Sequence, residues 1–203
     1  MTRIATQYGY DVLVDGDEQT LPGLITPADI SQAAGGRIAV TDPRLPAVCA
    51  AVSAAIRDFC GWHIAPNLQC EFDTQVDTRI VVLPAKLVHS IDQIETDGEE
   101  VSDFRFKRSG LVQFSAHPQN RGEWGAYQII YHAGIDDISS TPILQVACQV
   151  ALNDLVATPG VRGESVGQVS MSYNLLSDGV AGGVQLLSRD KEQLKPYRIY
   201  PRA

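Results

Sequence analysis

The chain has 203 residues, 44% hydrophobic and 20% charged, with a formal net charge of −8. That length can bury a core without disulfides or metals to staple it, and the ordinary composition excludes a disordered or fibrous class. The acidic balance argues against unaided nucleic-acid binding, which needs clustered Lys and Arg, but does not exclude a surface that DNA slides past.

Residues 1–25 are rich in Gly and acids, show no clear period, and read as an N-terminal extension. Thr26-Pro27-Ala28-Asp29 is a helix start: a capping hydroxyl, proline at the first helical position, and an acid at the positive end of the dipole. This predicts a short helix over 27–34, stopped by Gly35-Gly36. Asp42-Pro43 repeats the signal. Leu45, Val48, Val52, Ala55 and Phe59, with Ile56 beside them, then recur at spacings of three and four. They predict an amphipathic helix over 43–60 that Gly61 ends, with Arg57 and Asp58 solvated at its flanks.

The period then changes to two. Leu68 to Asp73 and Val88 to Glu95 alternate, and Arg79 to Pro84 is a β-branched run closed by proline. Asp97-Gly98 and Ser109-Gly110 read as hairpin turns, the second joining Phe104–Lys107 to Leu111–Phe114. Ala126 to His132 is the last strand of a β-rich stretch over 68–133, an antiparallel sheet or small barrel. Thr141-Pro142 opens a second long helix, over 142–157, which Thr158-Pro159-Gly160 breaks. Residues 161–188 read as one strand from Val166 to Tyr173 and a Gly-rich loop, and 189–203 as an extended tail. The predicted fold is therefore α+β. Two long helices and a short N-terminal one bracket an antiparallel β insertion, within an α+β core over 26–160.

From Arg189 onward five basic residues face two acidic ones, so the rest of the chain carries −11. An acidic body with a basic tail points the tail at an acidic surface; a frayed, solvated terminus is the alternative. Tyr197 and Tyr200 lie in a short proline-flanked segment that cannot bury its own aromatics, and read as docking anchors, whereas Trp62 and Trp124 read as core. The four cysteines (Cys49, Cys60, Cys70, Cys148) form no disulfide framework, no secretory signal precedes the body, and no apolar stretch could span a bilayer. Synthesis in a reducing cytoplasm is the simplest expectation.

Signals of catalysis fail on context. Gly163-Glu164-Ser165-Val166-Gly167 matches a nucleophile elbow, which needs a strand before the serine, a helix after it, and a downstream histidine. All four histidines lie upstream, so a hydrolase pairing Ser165 with His132 is a distant alternative, and the motif reads as a turn into a strand. Cys60, His63 and Cys70 lack the paired second half of a structural zinc site. His63 reads instead as a residue just past a helix C-terminus, where a cation suits the dipole. No phosphate-cradling or dinucleotide motif occurs, and neither an enzyme nor a cofactor is expected.

The succession of parts resembles the head–tail adaptor (head-tail connector, or head-completion) proteins of long-tailed phages, prophages and gene transfer agents. The matching residues are Thr26-Pro27-Ala28-Asp29-Ile30, the Ala-rich helix ending in Phe59-Cys60-Gly61-Trp62, Ile80-Val81-Val82-Leu83-Pro84 and Val88-His89-Ser90-Ile91. Gly110-Leu111-Val112, Trp124, Ile129 to Gly134, and Pro142-Ile143 with Ala147 and Ala151 follow in order. Each motif is short; the specificity lies in their order over residues 25 to 158. The resemblance implies a virion neck protein, a ring usually taken as twelve copies. Such a ring seats on the portal, extends the DNA channel and meets a downstream stopper or tail-completion protein, with no membrane, metal or catalytic residue involved. A stopper or tail terminator is the alternative within the neck. Duplex DNA passes without specific binding, so the acids Asp92, Glu95, Asp97, Glu99, Glu100, Asp136 and Asp137 are expected to include channel-lining groups. Arg189, Lys191, Lys195, Tyr197, Arg198, Tyr200 and Arg202 are expected to contact the portal.

Overall fold

The computed structural model describes residues 2–17, 19–74, 79–96, 98–115, 127–156, 163–166, 169–172 and 184–199. Its elements run β1 (Thr2–Ala5), β2 (Asp11–Val14), α1 (Pro27–Ala33), α2 (Leu45–Cys60), β3 (Leu68–Thr74), β4 (Ile80–Val82), β5 (Val88–Thr96), β6 (Glu99–Glu100), β7 (Phe104–Phe106), β8 (Leu111–Phe114), β9 (Tyr127–Ala133), α3 (Pro142–Val156), β10 (Gly163–Val166), β11 (Val169–Ser172) and α4 (Ser188–Leu194). No helix among the described residues is long and apolar enough to cross a membrane. The chain divides into two compact units, each assembled from separate segments: Met1–Pro22, Cys60–Asp137 and Tyr197–Ala203 in the first, Gly23–Phe59 and Ile138–Pro196 in the second.

The first unit is built on an antiparallel six-stranded sheet in the order β1-β2-β3-β9-β5-β6. Its register aligns Val12, Cys70, Tyr131 and Ile91 across four strands, so alternation sends them to one face and their neighbours to the other. Ile94 and Ile129, opposite one another on that core face, are fully buried, each worth about 1.5–3 kcal/mol of apolar transfer. A second antiparallel sheet, β4-β8-β7, packs its inner face on the first, where Phe114 meets Tyr127 with ring centroids 5.7 Å apart. Gly110 makes the β7–β8 turn at φ +85°. Its position is tight as well as left-handed, since a Cβ there would lie 2.4 Å from the Ala85 carbonyl oxygen.

The link after α2 is a packed clasp. Trp62 and His63 are buried, and the Trp62 Nε1–H donates to the Tyr197 carbonyl at 2.7 Å. The Ile199 N–H donates to the Cys60 carbonyl at 2.8 Å. His63 Nε2 lies 2.9 Å from the Ala133 carbonyl, which can only accept, so Nε2 carries the proton. Nδ1 then accepts from the Tyr10 hydroxyl at 2.7 Å, and that hydroxyl accepts in turn from the His63 backbone N–H at 3.0 Å. Neutral imidazole satisfies every group in this network.

The second unit is helical. Thr26 and Asp29 form a reciprocal capping box at the start of α1, with the Asp29 carboxylate accepting the Thr26 N–H at 2.8 Å. Helix α2 buries Leu45, Val48, Cys49, Val52 and Ile56, together with Ser53, which accepts the Leu24 N–H at 2.9 Å and donates to the Cys49 carbonyl. Both α1 and α4 pack on α3, whose Ile143, Val146, Ala147, Val150 and Ala151 are buried. At the start of α4, buried Asp190 accepts the Leu187 N–H at 2.9 Å, and Leu194 seals the last turn.

The fold is mixed α+β, but it is not the predicted arrangement of two long helices and a short one around a β insertion. There are four α-helices among the described residues, and β1 and β2 precede them all and join the sheet of β3 and β9. The strands are distributed over two sheets and a separate β10–β11 hairpin, where one strand was expected. The C-terminal region is not an extended tail either: it holds α4 and a 3-10 turn, Lys195–Tyr197. Its charges concealed the buried positions Leu186, Asp190 and Leu194, spaced by four. Phe59 and Ala55 are only half buried, while Arg57, expected in solvent, is 5% exposed. His63 is a core residue, its ring hydrogen-bonded to the Tyr10 hydroxyl and the Ala133 carbonyl.

Candidate functional site

The outer face of the six-stranded sheet gathers most of the polar chemistry of the first unit. Alternation from the buried register places Arg3, Asp11, Gln69, Glu71, Asp73, Gln128, His132 and Glu95 there. The cross-strand contacts follow: Arg3 pairs with Glu71 and lies 3.6 Å from Asp11, and the Gln128 amide donates to Glu71 at 2.6 Å. Asp92, set out from the ladder by the irregularity between Ile91 and Gln93, accepts from Gln69 at 2.9 Å and Ser90 at 3.0 Å, and faces His132 Nε2 at 3.2 Å. Glu95 accepts from Gln93 at 2.6 Å. Six carboxylates (Asp11, Glu71, Asp73, Asp92, Glu95 and Glu100, opposite Glu95) thus share a face with one arginine.

Of the acids singled out in the sequence, Asp92, Glu95 and Glu100 come together on this face. Glu99 pairs with Thr96 and so points to the other side at the sheet edge, while Asp136 and Asp137 are exposed in the loop after β9. Asp97 lies outside the described residues. Arg3, Asp11, Glu71 and Asp73 were not singled out, although the alternation Gln69-Glu71-Asp73 was the signal that could have found them.

The predicted portal-contacting residues are dispersed. Arg189 and Lys191 are exposed on α4, with Arg189 Nε 3.4 Å from Asp190, and Lys195 pairs with Glu192 at 2.6 Å. Tyr197 and Arg198 are half buried, and their carbonyls accept from Trp62 and from Lys86 Nζ (3.3 Å). Tyr200, Arg202 and Trp124 lie outside the described residues.

Burial pushes the thiols up, Cys60 and Cys70 to about 12 and Cys148 to about 11, which keeps them protonated and unreactive. The buried Tyr131 hydroxyl meets no oxygen or nitrogen partner, only the soft Cys70 thiol, a weak acceptor. Among the described residues no three of His, Cys, Asp and Glu are grouped to hold a metal. His132 is committed to the Asp92 contact on the sheet face, and Ser165 sits mid-strand in β10, opposite Ser170.

No protein-family model matches the chain, and no curated protein matches it.

Proposed function

We propose that the chain is a structural neck protein of a virion: a head–tail adaptor that forms a ring on the portal, prolongs the DNA channel and presents a surface to the next neck component. The observation that carries this reading is the ordered succession of short motifs from Thr26 to Ala151. The electrostatics support it. A net-acidic protein with exposed carboxylates repels duplex DNA, which suits a conduit better than a binder. Glu99, exposed on β6 and pointing away from the acidic face, and Asp136 and Asp137, exposed in the β9–α3 loop, are the acids this reading assigns to the channel wall. The exposed cations of α4, Arg189 and Lys191, are its portal contact.

The test is the mass of the purified protein alone and with the portal ring of the same virus. Co-migration as a defined multiple, weakened by R189E/K191E, is expected. A monomer that never joins the portal refutes the reading.

A further inference from the structure

The first unit presents opposite charge on its two outer surfaces. Because the inner faces of the two sheets meet at Phe114 and Tyr127, their outer faces look in opposite directions. One is the acidic face described above, where Asp73 is exposed and Leu13 and Ile130 are half-buried apolar neighbours of the carboxylates. On the other, the β4-β8-β7 register sets Ile80, Gln113 and Arg105 in one row and Val82 beside Leu111 in the next. Arg79 and Arg105 border a shallow depression over Gln113 and Ser115, and alternation adds Lys107 to the same side.

Two properties mark this second face as one that another molecule covers. Ile80 is 48% exposed, among the few large apolar side chains of the described residues left so open. Its cations also outnumber its acids: among the described residues none of Arg79, Arg105 and Lys107 has an ion-pair partner, and Asp103 is the one carboxylate that alternation puts on their side. An apolar centre with a basic border on one side matches an apolar centre with an acidic border on the other.

We propose that copies of this chain associate head to tail, the outer face of β4-β8-β7 of one copy docking on the outer face of the six-stranded sheet of the next. Such a contact is heterologous. Each bound copy still offers one face of each sign, so the assembly grows until rotation closes it into a ring or leaves it open as a filament. The contact needs only the two faces; closure into a ring rests on the neck reading. It also separates Asp73, Asp92 and Glu95, which go to the contact between copies, from the acids assigned above to the channel.

The test is sedimentation of the full chain, without portal or DNA, across protein concentration and salt. Concentration-dependent association is expected at low ionic strength, weakening as the screening length falls from about 10 Å at 0.1 M salt to about 3 Å at 1 M. The charge reversals Arg105→Glu and Asp73→Arg, both at exposed positions, should each weaken association by about tenfold or more while circular dichroism stays native. Mixing the two variants should restore it, because every remaining contact joins opposite charges. Association that ignores both reversals overturns the proposal, as does a monomer at every salt. Salt-sensitive retention of a duplex DNA probe by a monomer, abolished by Arg105→Glu, also overturns it and assigns the basic face to nucleic acid. Portal binding with no self-association would sink this contact and leave the neck reading standing; the reverse result would do the opposite.

Discussion

His63→Ala tests whether the clasp after α2 organises the first unit. The ring is fully buried and makes two side-chain hydrogen bonds, to the Tyr10 hydroxyl and the Ala133 carbonyl. Truncation leaves two buried polar groups short of a partner, at about 1 kcal/mol or more each, and opens a void where the imidazole met Trp62 and Tyr10 edge-on. Together these amount to about 3 kcal/mol. For a chain of this size that corresponds to a fall in Tm of about 6–12 °C. Tyr10→Phe removes only the hydroxyl, which His63 uses twice, and should cost about 1–3 kcal/mol. Because both variants break the same bonds, the double variant should be more stable than the sum predicts by about 1 kcal/mol. Urea unfolding followed by circular dichroism measures all three. Additive losses, or a His63→Ala variant within about 0.5 kcal/mol of wild type, would refute the view that this network holds the first unit together.

Two further outcomes follow from groups already described. The thiols of Cys60, Cys70 and Cys148 are raised above their ordinary value by burial, so the unfolded chain releases their protons first. Their contribution to stability is intact below about pH 9 and is lost as pH rises toward 12, and a disulfide reagent at pH 8 should label them only after denaturation; prompt labelling of the native protein contradicts this. Gly134 sits at φ +127°, and a Cβ there would lie 2.3 Å from the Pro66 carbonyl oxygen. Gly134→Ala should therefore destabilise by about 2 kcal/mol or more, read by thermal unfolding, whereas a neutral result would show that the Pro66 turn yields freely.

Local signals in the sequence located many segments, and the assembly of those segments was what it concealed. The Thr26–Asp29 capping box and the Gly110 turn are decided by neighbours along the chain, so they were readable. Strands β1 and β2 have four residues each, too few to show a period, and become strands only by pairing with each other and, through β2, with β3. Helix α4 was hidden by its charges: three of its seven residues are Arg189, Lys191 and Glu192, while its buried contribution is Asp190 and Leu194. The basic face of the small sheet was equally invisible, because Arg79 and Arg105 lie far apart in sequence and meet across β8. The acidic face was half legible: Asp92 and Glu95 stood out, but their company with Asp11, Glu71 and Asp73 needed the register.

The chain passes between the two units four times, and residues 197–199 complete the unit that Thr2 begins. Neither unit is therefore a contiguous stretch that could be cloned by cutting the gene once. The six-stranded sheet can pair early in synthesis, but the Trp62 indole and the Cys60 carbonyl wait for the backbone of Tyr197 and Ile199. A ribosome stalled short of these codons would display a unit with open hydrogen-bonding groups at its edge. Closure of the first unit therefore waits on backbone 135 residues downstream of Trp62.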